Sequence, residues 1–291
     1  MTFQVQKSFQ PHDGKGCLYL VATPIGNLED MTFRAVRILK EADWIAAEDT
    51  RQTRKLLTHF DISSRVVSYH EHNKKSSGAE LIEKLELGQS VALVSDAGLP
   101  SISDPGYDLV QSAIAQQIPV IPVPGANAAL SALIVSGLAT DRFVFIGFLP
   151  RDQKSLKKEL ERWQGVPATL LVYESPHRVK KTLEAIYKQW GNRRIALVRE
   201  LTKRYEEVIR GTALECMQWL DTNPPLGEYC IVIEQAGKEE LEQLESVWWE
   251  EYSLEEHLEH YMEQGEDKKA AMKCVAKDRG MSKRDVYNSL L

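Results

Sequence analysis

Short apolar runs alternate with amphipathic segments along the first half of the chain. The apolar runs have the length and composition of buried strands and cover residues 17–23, 44–47, 65–69, 90–95 and 120–123. The segments between them carry apolar residues at helical spacing and cover residues 33–42, 51–60, 78–87 and 107–116. Such regular alternation predicts a largely parallel sheet covered by helices.

A second set of strand-like runs follows an apolar helical segment at 126–138. These runs cover residues 143–148, 169–173, 195–200, 207–210 and 229–234, with helical segments at 155–163, 178–190 and 212–220. A second α/β domain therefore begins near Asp141. We expect four parts: a flexible leader (1–15), an N-terminal α/β domain (16–140), a C-terminal α/β domain (141–236) and a helical extension (237–291).

The extension differs in composition from the rest of the chain. Residues 239–267 contain many Glu and no Lys or Arg, whereas residues 268–291 are basic. A helix predicted at 267–277 stops at Arg279-Gly280, and Ser282-Lys-Arg-Asp285 resembles a capping box that starts a last helix ending at Leu290. This pattern predicts a small helix-turn-helix. His257 and His260 fall in the Glu-rich segment, where a solvated helix face is the expected environment.

Composition and charge narrow the class of protein. The 291 residues are 43% hydrophobic and 27% charged, with a formal net charge of −6, which still permits a local basic patch for nucleic acid. The four cysteines are widely spaced, which favours reduced thiols in the cytoplasm over disulfides or a zinc site. The uncharged stretch 109–140 is interrupted by three prolines, and residues 1–16 lack the pattern of a signal peptide. We therefore expect a cytoplasmic protein without a membrane segment.

Four turn-rich stretches each follow a strand-like run, at residues 21–32, 95–106, 123–129 and 174–178. One such turn usually serves backbone geometry, but four at strand ends predict a shared binding site. The chain has no Gly-x-Gly-x-x-Gly loop opening a helix, no phosphate-binding P-loop and no Gly-x-Ser-x-Gly elbow. Turns rich in small residues and carboxylates suit a cationic, hydroxyl-bearing ligand. Asp96 and Glu200 are the carboxylates that we expect in this site.

Several charged groups have two interpretations. Glu48-Asp-Thr-Arg51 is either a helix cap or part of the site, and Asp141-Arg142 forms either a turn salt bridge or an anion contact. The charged residues between 199 and 207 form either a surface or a phosphate-binding group. His70-Glu-His72 would place two imidazoles on one strand face, but metal sites need further ligands, so we predict no metal.

Six motifs resemble those of one family. They are Thr23-Pro-Ile-Gly-Asn-Leu-Glu-Asp30, Glu48-Asp-Thr-Arg51, Asp96-Ala-Gly-Leu-Pro-Ser-Ile-Ser-Asp-Pro-Gly106, Val123-Pro-Gly-Ala-Asn127, Gly147-Phe-Leu-Pro150 and Glu174-Ser-Pro-His-Arg178. The chain resembles, from about residue 16 to 235, the ribosomal RNA small subunit methyltransferase I family, a branch of the tetrapyrrole methylase superfamily. The resemblance implies two α/β domains, with S-adenosyl-L-methionine bound in the cleft between them, usually in a homodimer. It also implies that the substrate is a cytidine in the decoding region of 16S rRNA, in the small ribosomal subunit, methylated on the ribose 2′-oxygen.

The resemblance and the chemistry together give a set of site residues. By position, the resemblance assigns to the cofactor pocket Pro24, Asp96, Leu99, Ile102, Asn127, Ala128, Glu174, Ser175, Arg199 and Tyr229. A ribose hydroxyl benefits from a nearby base or cation, and the catalytic candidates are Glu48, Asp49, Arg51, His70 and Glu200. The predicted RNA contacts are Arg142, Arg178, Lys268, Lys269, Lys273, Lys283 and Arg284.

The expected fold is thus tetrapyrrole-methylase-like, with a largely parallel N-terminal sheet, a mixed C-terminal sheet and a small helical appendage. Two other functions stay open. A related methyltransferase would act on a tetrapyrrole or on a modified histidine of a translation factor, as in diphthine synthesis. A protein of another class would bind RNA without catalysis, and it would fail to bind the methyl donor. The basic tail could likewise be a solvated helical hairpin instead of an RNA contact.

Overall fold

The computed structural model describes residues 4–8, 14–238, 240–241, 249 and 252–290. The chain divides into two compact units, Met1–Gln235 and Ala236–Leu291. The first unit contains two five-stranded sheets, and the described part of the second is helical.

The first sheet is parallel throughout and has the order β3-β2-β4-β1-β5. Its strands are β1 (Leu18–Val21), β2 (Trp44–Ala47), β3 (Arg65–Ser68), β4 (Val91–Val94) and β5 (Val120–Val123). Its helices are α1 (Phe33–Glu41), α2 (Thr50–His59), α3 (Lys74–Glu86) and α4 (Gly106–Ala115). The β4 strand is buried along its whole length, as expected for a strand with helices on both faces.

Two apolar clusters lie on opposite faces of this sheet. Ile38 and Leu39 of α1 and Leu57 of α2 pack on one face, while Leu81 of α3 and Leu109 of α4 pack on the other. The helix that follows β1 and the helix that follows β4 therefore leave the sheet in opposite directions, although these two strands are neighbours.

The second sheet is mixed and has the order β6-β7-β10-β8-β9. Its strands are β6 (Phe143–Phe148), β7 (Thr169–Glu174), β8 (Arg194–Arg199), β9 (Glu207–Thr212) and β10 (Tyr229–Ile233). The helices around it are α5 (Ala128–Ser136), α6 (Gln153–Trp163), α7 (Val179–Trp190) and α8 (Ala213–Thr222). Only β6 and β7 are parallel; β10 runs antiparallel to both of its neighbours. The predicted fold class, with one parallel and one mixed sheet, is confirmed.

The described part of the leader lies against the first sheet. The Gln6 side-chain amide donates to the Val120 carbonyl at 2.9 Å and accepts from the Val120 N–H at 2.9 Å. Because β5 is an edge strand, this amide satisfies backbone groups that the sheet leaves open. Residues 1–3 and 9–13 of the predicted flexible leader lie outside the described residues.

The second unit contains α9 (Leu254–Glu263), α10 (Lys268–Asp278) and α11 (Lys283–Ser289). Ser282 caps α11 by accepting from the Asp285 N–H, as the sequence predicts. Asp267, predicted as the first residue of its helix, caps α10 instead. Leu258, Met272, Val275 and Val286 form its apolar core.

The expected solvated environment of His257 is wrong. Its side chain is 0% exposed, its Nε2 lies 3.2 Å from Asp278 Oδ2, and its Nδ1 accepts from Arg279 Nε at 3.1 Å. Arg279 donates further to the carbonyls of Trp249, Tyr252 and Ser253. The residue predicted only to stop a helix therefore ties the end of α10 to the start of α9. Much of the Glu-rich segment, 239 and 242–248 among it, lies outside the described residues.

Candidate functional site

The site begins where β1 and β4 end side by side. Thr23 follows β1 and Gly98 follows β4, and the two exchange backbone hydrogen bonds of 2.9 and 3.1 Å. Parallel α/β sheets open a crevice where neighbouring strands send their helices to opposite faces, and ligands bind there. The first two turn-rich stretches therefore meet at the position where a binding site is expected.

The second of these stretches, residues 95–106, is a tightly braced loop. The Asp104 carboxylate accepts from the N–H groups of Ser101 and Gly106 at 2.7–2.8 Å. Burial raises the pKa of Asp104, although these backbone bonds act in the opposite direction. Ser101 and Ser103 both have positive φ, of 73° and 62°, which is costly for residues other than glycine. The bracing holds the loop in a conformation that the backbone alone disfavours.

A cavity of about 360 Å³ lies beside this loop, inside the first unit. That volume is in the range of small-molecule sites. Seven of the ten residues predicted for the cofactor pocket line it: Leu99, Ile102, Asn127, Ala128, Glu174, Ser175 and Tyr229. Each of the four turn-rich stretches supplies at least one residue that lines the cavity: Ile25, Leu99, Asn127 and Ser175.

The residues that line the cavity also include three that form an ionic bridge. Lys203 Nζ lies 3.0 Å from Glu200 Oε1 and 2.8 Å from Glu228 Oε2, and Glu200 also accepts from the Glu228 N–H. Burial raises the pKa of Glu200, but the Glu228 N–H and the Lys203 ammonium outweigh it and leave the pKa below its usual value. Gly227, with φ of 74°, permits this packing, because a Cβ there would lie 2.4 Å from Glu200 Cδ. Glu200 thus supports the wall, and its lowered pKa makes it a weak base.

Glu174 lines the cavity at the end of β7, and the residue is 2% exposed. The carboxylate accepts from the Ser175 N–H at 2.8 Å and from the Thr182 hydroxyl at 2.7 Å. It also lies 3.4 Å from Arg178 Nη2, which donates to the Leu149 and Pro150 carbonyls. This network fixes the β7–α7 turn against the end of β6.

Three predicted cofactor residues do not line the cavity. Pro24 lies beside it after Thr23. Asp96 accepts from the Asp49 N–H at 3.0 Å, on the other side of the loop. Arg199 pairs with Glu207 at 3.3 Å and neighbours Tyr229 across the β8–β10 pair.

The other catalytic candidates gather at the ends of β2 and β3. Asp49 caps α2, accepts from the Arg51 N–H at 2.8 Å and pairs with the Arg51 guanidinium, which lowers its pKa to about 2. The capping interpretation of this motif is confirmed. Glu48 differs, because burial first and then the charges of Asp96 and Asp104 raise its pKa.

His70 lies beyond the end of β3 at Ser68, so its expected place on a strand face with His72 is wrong. The His70 N–H donates to Asn73 Oδ1 at 2.7 Å, and its buried Nδ1 has no hydrogen-bond partner among the described residues. The described residues contain no cluster of three or more His, Cys, Asp or Glu that could hold a metal ion.

The predicted RNA contacts lie in different places. Arg142 is exposed before β6, at the end of that strand away from the cavity, whereas Arg178 is held by the Glu174 network. The five predicted contacts in the second unit are exposed, and none of them has an ion-pair partner among the residues that the structure describes: Lys268, Lys269, Lys273, Lys283 and Arg284.

The sequence analysis missed several cavity residues. Ile25, Ser103 and Phe148 lie inside three of the six motifs named in the sequence analysis, so those motifs could have identified them. Lys203 belongs to the charged group at 199–207 that was weighed as a surface or a phosphate contact, and in the structure it pairs with Glu200 and Glu228 instead. Glu228 lies in a segment of ordinary surface composition, and the β8–β10 pairing brings it to Glu200.

Tyr229 lines the cavity and is 2% exposed. Its hydroxyl is buried near the Arg199 guanidinium and the Leu226 backbone, and burial raises its pKa. Tyr229 is therefore part of the packed wall.

Comparisons with known proteins identify the family. Residues 17–216 match the family described as Tetrapyrrole (Corrin/Porphyrin) Methylases. The chain is 57% identical over 285 residues to the ribosomal RNA small subunit methyltransferase I of Halalkalibacterium halodurans, with 98% of both chains covered. It is 52% identical to that of Bacillus subtilis, covering 98% of this chain and 97% of the relative. The chain belongs to the ribosomal RNA small subunit methyltransferase I family.

Solved structures show the same fold. A crystal structure of diphthine synthase matches with a TM-score of 0.60 and 16% identity, covering 78% of this chain and 94% of that one. A Thermus thermophilus uroporphyrin-III C-methyltransferase in complex with S-adenosylhomocysteine matches with a TM-score of 0.53 and 20% identity, covering 75% and 97%. No helix in the described ranges is long and apolar enough to cross a membrane.

Proposed function

We propose that this methyltransferase transfers the methyl group of S-adenosyl-L-methionine to the ribose 2′-oxygen of a cytidine in 16S rRNA. The observation that carries the proposal is the cavity at the β1–β4 switch point, in a chain 57% identical to a named ribosomal RNA small subunit methyltransferase I. The target within the decoding region comes from the family resemblance.

The cavity suits the donor in charge as well as in size. Glu200 and Glu228 line it with one ammonium among the described residues, that of Lys203, which pairs with both, so these groups leave a net negative charge that favours a cationic ligand. The turns at Asn127 and Ser175, which line the cavity, would hold the donor's polar groups. When bound, the donor supplies an electrophilic methyl group, and the enzyme has to place the ribose oxygen in line with it.

Glu48 is the candidate proton acceptor that the structure favours. It lies near Asp96 and Asp104, which belong to the loop whose other residues, Leu99 and Ser103, face the cavity. A base works best when its pKa is close to the working pH, and the pKa of Glu48 is raised, whereas those of Asp49 and Glu200 are lowered. His70, near Glu48, is the second candidate, and exposed Arg51 is placed to hold a phosphate.

The basic side chains of the second unit are proposed as the RNA contact. They are exposed on α10 and α11, and phosphate contacts of this kind make affinity depend strongly on salt. Deleting residues 268–291 should weaken subunit binding and flatten its dependence on salt concentration. Unchanged affinity and an unchanged salt slope would contradict this role.

We also propose that the protein is a cytoplasmic homodimer. Leu130 and Ile134 lie one turn apart on α5 and are 46% and 75% exposed, an apolar strip that a second copy would cover. The four cysteines are free, as in a reducing compartment. Light scattering of the wild type and of Ile134→Asp tests the dimer: a monomeric variant supports the strip as the interface, and a monomeric wild type contradicts the proposal.

Methyl transfer itself tests the function. Purified protein is incubated with labelled S-adenosyl-L-methionine and with small subunits from a strain that lacks the enzyme, free 16S rRNA, or protein alone. Label in RNA supports the proposal. Label in no RNA, with the donor bound, would favour a tetrapyrrole or diphthine-type substrate, and failure to bind the donor would favour a non-enzymatic RNA-binding protein.

A further inference from the structure

Phe148 is an aromatic side chain that the fold leaves open at the cavity. It ends β6 and lines the cavity, yet it is 61% exposed. Other lining residues, Glu174 and Tyr229, are each 2% exposed. The cavity thus has a buried interior and an exposed aromatic group at its mouth.

An irregularity in β6 puts Phe148 there. The strand pairs with β7 in regular parallel register up to Phe145, and a bulge then shifts the register so that Gly147 lies opposite Val172. Gly147 has φ of 81°, which glycine adopts readily. Bulges of this kind re-aim a side chain and are common beside active sites. The local backbone is therefore built to expose the residue that follows it.

The exposed residues that line the cavity include charged and apolar side chains. The Glu228 side chain is 85% exposed and pairs with Lys203, whereas Phe148 and Ile102 are 61% and 41% exposed. Tyr173 contacts the Phe148 ring edge-on, with ring centroids 5.7 Å apart and an interplanar angle of 62°. Tyr173 itself is fixed, because its hydroxyl accepts from the Ala129 N–H at 3.1 Å.

We propose that Phe148 is the platform on which the target nucleobase stacks. This inference rests on the proposed function. The base is attached to the sugar carbon next to the one that carries the reacting 2′-oxygen, so holding the base also holds the nucleophile. Unpaired RNA bases are commonly recognised by stacking on aromatic side chains. With the donor in the buried interior, the ribose enters at the mouth, where its base meets the exposed Phe148 ring.

The test compares Phe148→Ala, Phe148→Leu and Phe148→Trp with the wild type. Phe33→Ala is the matched control, because Phe33 is also an exposed phenylalanine, at 97%, and does not line the cavity. Donor affinity is measured by calorimetry with S-adenosyl-L-methionine alone. Methylation of small subunits is measured at saturating donor, to obtain kcat/KM for the RNA substrate.

Loss of one base stack predicts that Phe148→Ala lowers kcat/KM by about 5- to 150-fold with unchanged donor affinity. Phe148→Leu should show most of the same fall in kcat/KM, because leucine keeps the apolar surface but has no aromatic face. Phe148→Trp should keep near-wild-type activity. A matching loss of donor affinity would overturn the inference, since Phe148 would then belong to the donor site. Equal losses in Phe33→Ala, or full activity in Phe148→Ala, would overturn it as well.

A wild type that methylates no RNA would refute the proposed function and the inference together. A wild type that methylates RNA while Phe148→Ala does so equally well would refute the inference alone.

Discussion

Replacing Glu174 by Gln should destabilise the first unit and weaken donor binding together. The carboxylate is buried, accepts from the Ser175 N–H at 2.8 Å and the Thr182 hydroxyl at 2.7 Å, and forms an ion pair with Arg178 Nη2 at 3.4 Å. A glutamine offers one oxygen and an NH2 group, so at least one donor loses its acceptor and the guanidinium loses its counter-charge.

The expected cost follows from these contacts. A hydrogen bond to a charged group contributes about 1.5–3 kcal/mol, and breaking a buried ion pair costs about 3–5 kcal/mol. Arg178 keeps its bonds to two backbone carbonyls, which reduces the loss. We therefore expect a decrease of about 3 kcal/mol in the free energy of unfolding. For a unit of this size that corresponds to a Tm lower by about 6–12 °C.

Thermal unfolding of Glu174→Gln is to be compared with that of Asp221→Asn. Asp221 pairs with Lys180 on the surface, with side chains 55% and 43% exposed, and such pairs contribute little to stability. Asp221→Asn should leave Tm and donor affinity essentially unchanged. The reasoning is refuted if Glu174→Gln unfolds at the same temperature as Asp221→Asn, or if it loses donor affinity with no loss of stability.

Three further predictions concern charged groups. Glu48→Gln should lower the single-turnover rate by about 10²- to 10⁴-fold with donor affinity intact. The wild-type rate should rise with pH through a pKa above the usual Glu value. A variant that reacts at the wild-type rate would exclude Glu48 as the base. Arg51→Ala should leave Tm unchanged, because the Arg51 side chain is 85% exposed, but should raise KM for subunits if it binds phosphate; an unchanged KM would exclude that contact. Burial lowers the pKa of His257, so the unfolded state binds the proton more readily and the second unit should lose stability as pH falls below about 6.5. His257→Gln should flatten this dependence, measured by helical circular dichroism on the full chain, and an equally steep loss in the variant would assign it to another group.

The local pattern of apolar, polar and turn-forming residues was enough to predict most of the strands and helices. The strands at 44–47, 120–123 and 143–148 have the predicted bounds, because apolar runs and turn residues define both of their ends. Helix α3 begins at Lys74, four residues before the predicted start, where Asn73 makes no side-chain cap and the first turn is polar. A helix start without a cap or an apolar residue leaves no signal in the sequence.

The site was predictable only in part, for a physical reason. Turn residues at strand ends indicate where a crevice opens, and Leu99, Asn127 and Ser175 were found in that way. Which side chains face the crevice depends on strand order and register, so Glu228 became visible only with the β8–β10 pairing. The burial of His257 likewise depends on Asp278 and Arg279, which are about 20 residues away in sequence.

The measurement that tests the account most directly is the position of the transferred methyl group. Small subunits from a strain lacking the enzyme are methylated with labelled donor, and one part of the RNA is treated with alkali to test whether the phosphodiester bond at the labelled residue resists cleavage. The rest is digested to nucleosides, and the labelled nucleoside is identified by mass spectrometry. The account predicts 2′-O-methylcytidine at a single site of 16S rRNA. A methyl group on a base, on another nucleoside or on protein would contradict it.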